Sequence, residues 1–371
     1  MAPVVKRLKG DPRLKVIVAV SAQHRQMLDQ VLKIFHLKSQ IDLDVMKAGQ
    51  TLFDVTTQVI ARFEPVLKKV KPDLVLVHGD TTTTLGGALA SYYMKIPVGH
   101  VEAGLRTNDK YRPFPEEMNR RITDALSTLY FAPTRESAQH LRRENLPKGH
   151  IFITGNTVID ALLETVKRPR PLESRELKAF LPKLLQEKRR LILMTAHRRE
   201  NFGVPFDDVC RAVRALSLKF PDVHWIYPVH PNPNVKKPAY RWLSRRPNIH
   251  LLSPVNYSDL VRVMNASTLV VTDSGGLQEE APSLGKPVLV LRDVTERPEA
   301  VHAGTVRLVG TSQKKIVSEV SKLLTDKKYY RRMANAVNPY GDGRAAGRIL
   351  QAIQWYFGLR KEKPSLFGRG R

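Results

Sequence analysis

Leu269-Val270-Val271-Thr272-Asp273-Ser274-Gly275-Gly276-Leu277-Gln278-Glu279-Glu280 runs a strand straight into a helix opened by two glycines. Its first four residues are apolar or β-branched without alternation, the pattern of a strand covered on both faces. The glycines let backbone N–H groups come close to a ligand, and the helix dipole at that end favours an anion. Ser274 adds a hydroxyl donor, and Glu279 or Glu280, about one turn on, can accept hydrogen bonds from a ribose diol. A glycine turn that only packs strand on helix is the plainer alternative. The run as a whole favours a phosphate site.

The same pattern extends in both directions from this stretch. Apolar runs at 16–20, 74–77, 98–101, 151–153, 191–194, 225–229, 250–252, 288–291 and 306–309 also read as buried strands. Helical patterns lie between them. In 206–220, Phe206, Val209, Val213, Leu216 and Phe220 recur at helical spacing and point inward, with Cys210 beside that stripe as a buried, inert thiol. Alternating strand and helix implies parallel sheets with right-handed crossovers. The rhythm breaks at 167–190, which is polar, basic and carries Pro169, Pro171 and Pro182. The expected fold class is therefore α/β, with two doubly wound, Rossmann-like domains facing across a cleft. Their expected spans are 1–166 and 167–343, with a last helix and basic tail at 344–371 that packs back toward the first domain.

Composition narrows the function classes. With 371 residues, 42% hydrophobic and 26% charged, the chain is long enough for a sizeable core and ordinary for a soluble globular protein. No apolar run is long enough to span a bilayer. The single cysteine excludes a disulfide framework and any multi-cysteine zinc or iron–sulfur site, and it fits a reducing, cytoplasmic setting. The apolar run 16–22 resembles a signal peptide weakly; a buried strand explains it better. A net charge of +26 attracts polyanions. The excess is scattered apart from 167–190 and 360–371, and no single basic helix carries interleaved aromatics. This favours a basic surface on an enzyme over a nucleic-acid role.

In open α/β sheets, functional residues lie just past the C-terminal ends of strands. After 74–77, Asp80 precedes four threonines and is either a helix cap or a ligand contact. After 98–101, Glu102 is an acid ending an apolar strand, which is hard to dismiss as surface. Pro115-Glu116-Glu117 reads as a helix N-terminus, where carboxylates are stabilised, and Glu117 could serve there alone. After 191–194 come His197, Arg198 and Arg199, which can bind a diphosphate or assist a leaving group. His230 repeats the strand-end histidine. No HExxH, Walker lysine motif or strand-linked GxGxxG is present, so a redox dinucleotide is not expected. His100-Val101-Glu102 has the spacing of a zinc deaminase, but the required cysteines are absent.

At this point the chain resembles the non-hydrolysing UDP-N-acetylglucosamine 2-epimerases over nearly its whole length. The residues that carry the likeness are AQHRQMLDQ at 22–30, HGDTTTTL at 78–85, GHVEAGLRT at 99–107, FPEEMNR at 114–120, ITGNTVIDALL at 153–163 and HRRENFG at 197–203. To these are added YPVHPNPNV at 227–235, TDSGGLQEEAPSLGKPVLVLRD at 272–293, TERPEAV at 295–301 and NPYGDG at 338–343. The resemblance implies a two-domain fold like that of B-type glycosyltransferases. It also implies interconversion of UDP-GlcNAc and UDP-ManNAc for envelope polysaccharide synthesis, without metal or nicotinamide cofactor, in a homodimer. It assigns Ser274, Gly275 and Gly276 to the diphosphate, Glu280 to the ribose, Arg297 and His197 to the phosphates, and Val255 and Leu260 to the uracil. Members often carry an aromatic at the position of Leu260. Asp80, Glu102 and Glu116 match the carboxylates of proton transfer, and Gln23, Gln26 and His230 match a second, activating nucleotide-sugar site. The rivals are a hydrolysing relative, a B-type glycosyltransferase and, from another class, a nucleotide-sugar or polyanion binder without turnover.

The chain departs from the pattern at its start. Family members begin with a strand and a GTRPEAIK turn before Met-Ala-Pro, and this sequence begins at Met1-Ala2-Pro3. The expectation is that it starts late, with two cationic groups and a central strand missing, and that the chain as written is a weak enzyme of poor solubility.

Overall fold

The computed structural model describes residues 1–22, 25–46 and 49–368, the side chains of Gln26 and Met27 excepted. The chain divides into two compact units, one made of Met1–Ala161 with the segment from Tyr340 onward, the other of Leu162–Pro339. The passage between them thus falls inside the helix Thr157–Lys167, a few residues before the expected break.

The second unit holds the opening stretch. Its six strands are β7 Arg190–Thr195, β8 Val223–Pro228, β9 Ile249–Leu252, β10 Leu269–Thr272, β11 Val288–Val290 and β12 Val306–Leu308, after six in the first unit. All neighbours are parallel, in the order β12-β11-β10-β7-β8-β9. Ile192, Leu193, Val270 and Val271 are fully buried, as the unalternating pattern requires. Each such side chain contributes roughly 1.5–3 kcal/mol on burial. The helix Val204–Lys219 lays Phe206, Val209, Cys210, Val213 and Leu216 onto this sheet. Cys210 is enclosed there, and burial pushes its thiol far above its ordinary value, so it stays protonated. Strand order reverses between β7 and β10, and at such a switch point a crevice opens past the strand ends. Thr195 and Thr272 face each other across that boundary with hydroxyls 2.6 Å apart.

The first unit has β1 Ala19–Val20 paired with β2 Ile41–Asp42, and a separate parallel sheet β3-β4-β5-β6. These four strands are Val75–His78, Val98–Val101, Leu129–Ala132 and Ile151–Ile153. Val4 and Leu8 of the helix Ala2–Lys9 pack with Val101, Leu129 and Phe131, and with Ile349 and Ile353 of the helix Ala345–Tyr356. Asp160 tethers that last helix by accepting the backbone N–H groups of Ala345 and Ala346 at 3.1 and 2.9 Å. The expected fold class, α/β with parallel sheets, is what the chain adopts. β2 and β5 are additional to the sequence reading. β5 is hidden because Leu129-Tyr130-Phe131-Ala132 follows the helix Glu116–Leu126 after only Ser127 and Thr128, with no glycine or proline to announce the change.

Candidate functional site

At the switch point of the second unit, β7 and β10 end side by side. Asp273, the first residue past β10, is fully buried. Its Oδ2 accepts the backbone N–H groups of His197 and Arg198, both at 2.8 Å, and its Oδ1 stands 3.3 Å from His197 Nδ1. Ser274 is the N-cap of the helix Gly275–Glu280, and its hydroxyl makes no capping bond. A Cβ placed on Gly275 would lie 4.0 Å from both the Arg198 and the Arg297 guanidinium groups, so two cations flank the glycine-opened helix tip. Arg297 is fixed there by Glu279 through a 2.5 Å Nε–Oε1 contact. A helix end, two guanidinium groups, a hydroxyl and an imidazole are the donor set that a diphosphate requires.

Glu280 is buried on the same short helix and accepts the Tyr257 hydroxyl at 2.6 Å. Burial, with neighbouring Glu279 adding to it, pushes its carboxyl up to about 7. Tyr257 begins the helix Tyr257–Ala266 that carries Leu260, and Val255 sits in the loop before it; Val255 and Leu260 are half-buried. The rings of His197 and His230 stack at 5.7 Å, so two histidines expected in different sites stand together. Burial lowers the His197 ring below its ordinary value, Asp273 pulls the other way, and Arg198 and His230 reinforce the lowering.

In the first unit Asp80 and Glu102 stand just past the ends of β3 and β4. Asp80 is not the cap of the helix Thr82–Tyr93; Thr81 is, accepting the Thr84 N–H. The Asp80 carboxylate instead receives Arg120 Nη2 at 2.7 Å, and its carbonyl receives Asn119 Nδ2 at 3.0 Å. Glu102 has a positive φ of 70°, uncommon for a residue with a side chain. Its Oε1 accepts Asn156 Nδ2 at 3.1 Å, and its Oε2 stands 3.4 Å from His78 Nε2. Glu116 opens the helix Glu116–Leu126, and its Oε2 is buried without a hydrogen-bond partner. Glu117 is fully buried, and its oxygens accept the N–H groups of Thr107 and Asn108 at 3.1 and 3.2 Å. It therefore holds the loop that follows Glu102.

The sequence reading did not single out Asp273, Tyr257, Arg120 or Asn156 for a role, although all but Tyr257 lie in or beside its motifs. The signal for Asp273 was an acid at the end of an apolar strand, the argument that had picked out Glu102. Gln23 and the side chain of Gln26, expected at a second site, lie outside the described residues. Among the described residues, no group of three or more His, Cys, Asp or Glu could hold a metal ion.

The family model described as UDP-N-acetylglucosamine 2-epimerase matches residues 6–354. The UDP-N-acetylglucosamine 2-epimerase of Escherichia coli K12 is 52% identical over 357 residues, 95% of this chain and 94% of that protein. The crystal structure of the Neisseria meningitidis UDP-GlcNAc 2-epimerase bound to UDP-GlcNAc matches at a TM-score of 0.85 and 47% identity, over 95% of each chain. The Methanocaldococcus jannaschii UDP-GlcNAc 2-epimerase in complex with UDP-GlcNAc and UDP matches at 0.76 and 32% identity, again over 95% of each. The likeness read from the motifs thus holds in sequence and in fold over nearly the whole length, and the chain belongs to the UDP-N-acetylglucosamine 2-epimerase family.

Proposed function

We propose that this chain is an isomerase that interconverts UDP-GlcNAc and UDP-ManNAc by eliminating and re-adding UDP. The C2 proton of the sugar is not next to a carbonyl, so its direct removal is very costly. Elimination avoids this: the C2 proton leaves, the C1–O bond to the β-phosphate breaks, and a glycal and UDP result. UDP then adds back to C1 while a proton returns to C2 on the opposite face.

The observation that carries this reading is the donor set at the helix tip, in a chain of this family. Ser274, the Gly275 and Gly276 backbone, Arg297 and His197 would stabilise the departing diphosphate, with negative charge developing where donors already stand. Glu280 would accept the ribose hydroxyls, and Val255 and Leu260 would border the uracil. Two faces of the ring need at least two acid–base groups, and Asp80, Glu102 and Glu116 supply three. The second nucleotide-sugar site at Gln23, Gln26 and His230, pairing into a homodimer, a cytoplasmic location and service to envelope polysaccharide synthesis belong to the same proposal. Exposed Phe53, Tyr92 and Tyr93 support pairing. A cytoplasmic location is consistent with a lone, buried cysteine. Among the described residues no helix is long and apolar enough to cross a membrane.

Incubation with UDP-GlcNAc in deuterated water tests the chemistry. The expected product is UDP-ManNAc with deuterium at C2. Free ManNAc with UDP would mean a hydrolysing enzyme, and turnover only with an added acceptor a glycosyltransferase. No turnover with retained UDP binding would leave a binder.

A further inference from the structure

His100 lies in the middle of β4, has no exposed surface, and is assigned no part in the elimination chemistry. Its two ring nitrogens meet two acceptors. Nδ1 is 2.6 Å from Asp124 Oδ1, and Nε2 is 2.7 Å from the carbonyl oxygen of Gly79. A carbonyl oxygen can only accept. Asp124 is held ionised by what surrounds it: its other oxygen takes Arg106 Nη2 at 2.7 Å and the Gly104 N–H at 3.2 Å. A ring that donates to both sides carries two protons and a positive charge. Burial alone would push the ring down, but Asp124 outweighs it and the ring titrates above its ordinary value.

The position of that charge gives it a function. Gly79 has a φ of 71°, and a Cβ there would stand 3.3 Å from Glu102 Oε2. The peptide whose carbonyl His100 holds is the one that leads into Asp80. We infer that His100 is a positioning residue for the proposed epimerisation: a buried imidazolium that fixes the Gly79–Asp80 peptide and sets a standing positive charge beside the Glu102 carboxylate. The groups facing this assembly are Asp124 and His78 against the ring, Arg106 against Asp124, and His78 and Asn156 against Glu102. The inference rests on the proposed chemistry for its purpose, but not for its protonation state.

Two measurements test it. In the resting wild-type protein labelled with 15N-histidine, at least one of the eleven histidines is expected to keep both ring nitrogens protonated at a pH where free histidine is neutral. A spectrum at that pH with no doubly protonated histidine overturns the inference, whatever the enzyme does. In His100→Gln, kcat is expected to fall about 100-fold with KM changed less than about threefold, because the acid–base groups lose register rather than the nucleotide its site. The acidic limb of the pH profile is expected to move up by about one unit, since a carboxylate that must be ionised loses a neighbouring cation. A lower Tm with kcat and the acidic limb unmoved would make His100 structural and sink the inference. Failure of the wild type to epimerise would sink the proposed function, and the labelled spectrum would still decide the charge of the ring.

Discussion

Asp273 holds the backbone of His197 and stands by its ring: its Oδ2 accepts the histidine's N–H at 2.8 Å, and its buried Oδ1, which has no hydrogen-bond partner, lies 3.3 Å from the ring Nδ1. One buried carboxylate thus ties the end of β7 to the end of β10 and offers an unfilled acceptor to the nearer ring nitrogen. With the proton on Nδ1, Nε2 is free to accept a proton or, in the imidazolium, to donate to the departing diphosphate. Asp273→Asn keeps an oxygen for the backbone N–H groups but turns an amide toward Nδ1, which favours the other tautomer. The expected result is a kcat lower by about 100-fold or more, with Tm nearly unchanged, read by steady-state kinetics and thermal melts. Wild-type turnover in this variant would show that the tautomer of His197 does not matter.

Glu280 predicts a pH dependence of nucleotide binding. Its folded-state pKa of about 7 lies above the ordinary glutamate value, so between about 4.5 and 7 the folded protein holds a proton that the unfolded chain has released. The contribution to stability is therefore present at low pH and is lost as pH rises through that window, by roughly 3 kcal/mol in all. A ribose diol needs the ionised carboxylate as acceptor. UDP affinity is expected to rise between pH 6 and pH 8 in the wild type and to be weak and flatter with pH in Glu280→Gln. Calorimetric titration of UDP at three pH values checks this, and the same slope in both proteins would remove Glu280 from the ribose.

The two larger parallel sheets and most of their strands were legible because their strands are largely buried and read as unbroken apolar runs. β5 was not, because nothing between Leu126 and Leu129 breaks the chain locally; it becomes a strand through pairing with β4 and β6. Asp80 and Glu102 were legible as acids at strand ends. Whether Asp80 caps a helix was not, since Thr81 next to it is an equally good cap and only the fold chooses. The ties of Arg120 to Asp80 and of Tyr257 to Glu280 join residues 40 and 23 positions apart, a spacing that no local pattern encodes. The candidate acids could thus be picked out from their place at strand ends, while the side chains that hold them could not.

Arg297 and Glu279 separate binding from stability. The pair is mostly buried, with the side chains 19% and 5% exposed. Arg297→Gln removes one candidate diphosphate cation and takes the guanidinium away from the enclosed Glu279. Breaking a buried pair from one side typically costs 3–5 kcal/mol, and the lower end, about 3 kcal/mol, suits this partly open arginine. Adding Glu279→Gln is expected to restore most of the lost Tm, because no lone charge remains. UDP affinity should stay at least about tenfold weaker in both variants. A double variant that regains UDP binding would place the diphosphate away from Arg297.

Gly104 joins the fold to the carboxylate cluster. It has a φ of 84°, and a Cβ there would overlap the Ser137 carbonyl and the Leu141 side chain. Its N–H also donates to Asp124 at 3.2 Å. Gly104→Ala meets a left-handed backbone and a steric overlap at once, neither of which a small rotation relieves. A loss of about 3 kcal/mol or more is expected, together with a shift of the chain that includes Glu102 two residues earlier. If the shift reaches Glu102, kcat should fall by more than the folded fraction does, measured by kinetics normalised to active sites titrated with UDP. If kcat per folded site is unchanged, the strand end carrying Glu102 is held by the Glu102 and Ala103 N–H bonds to the Phe131 carbonyl alone, and the loop beyond it does not set the geometry of the acid.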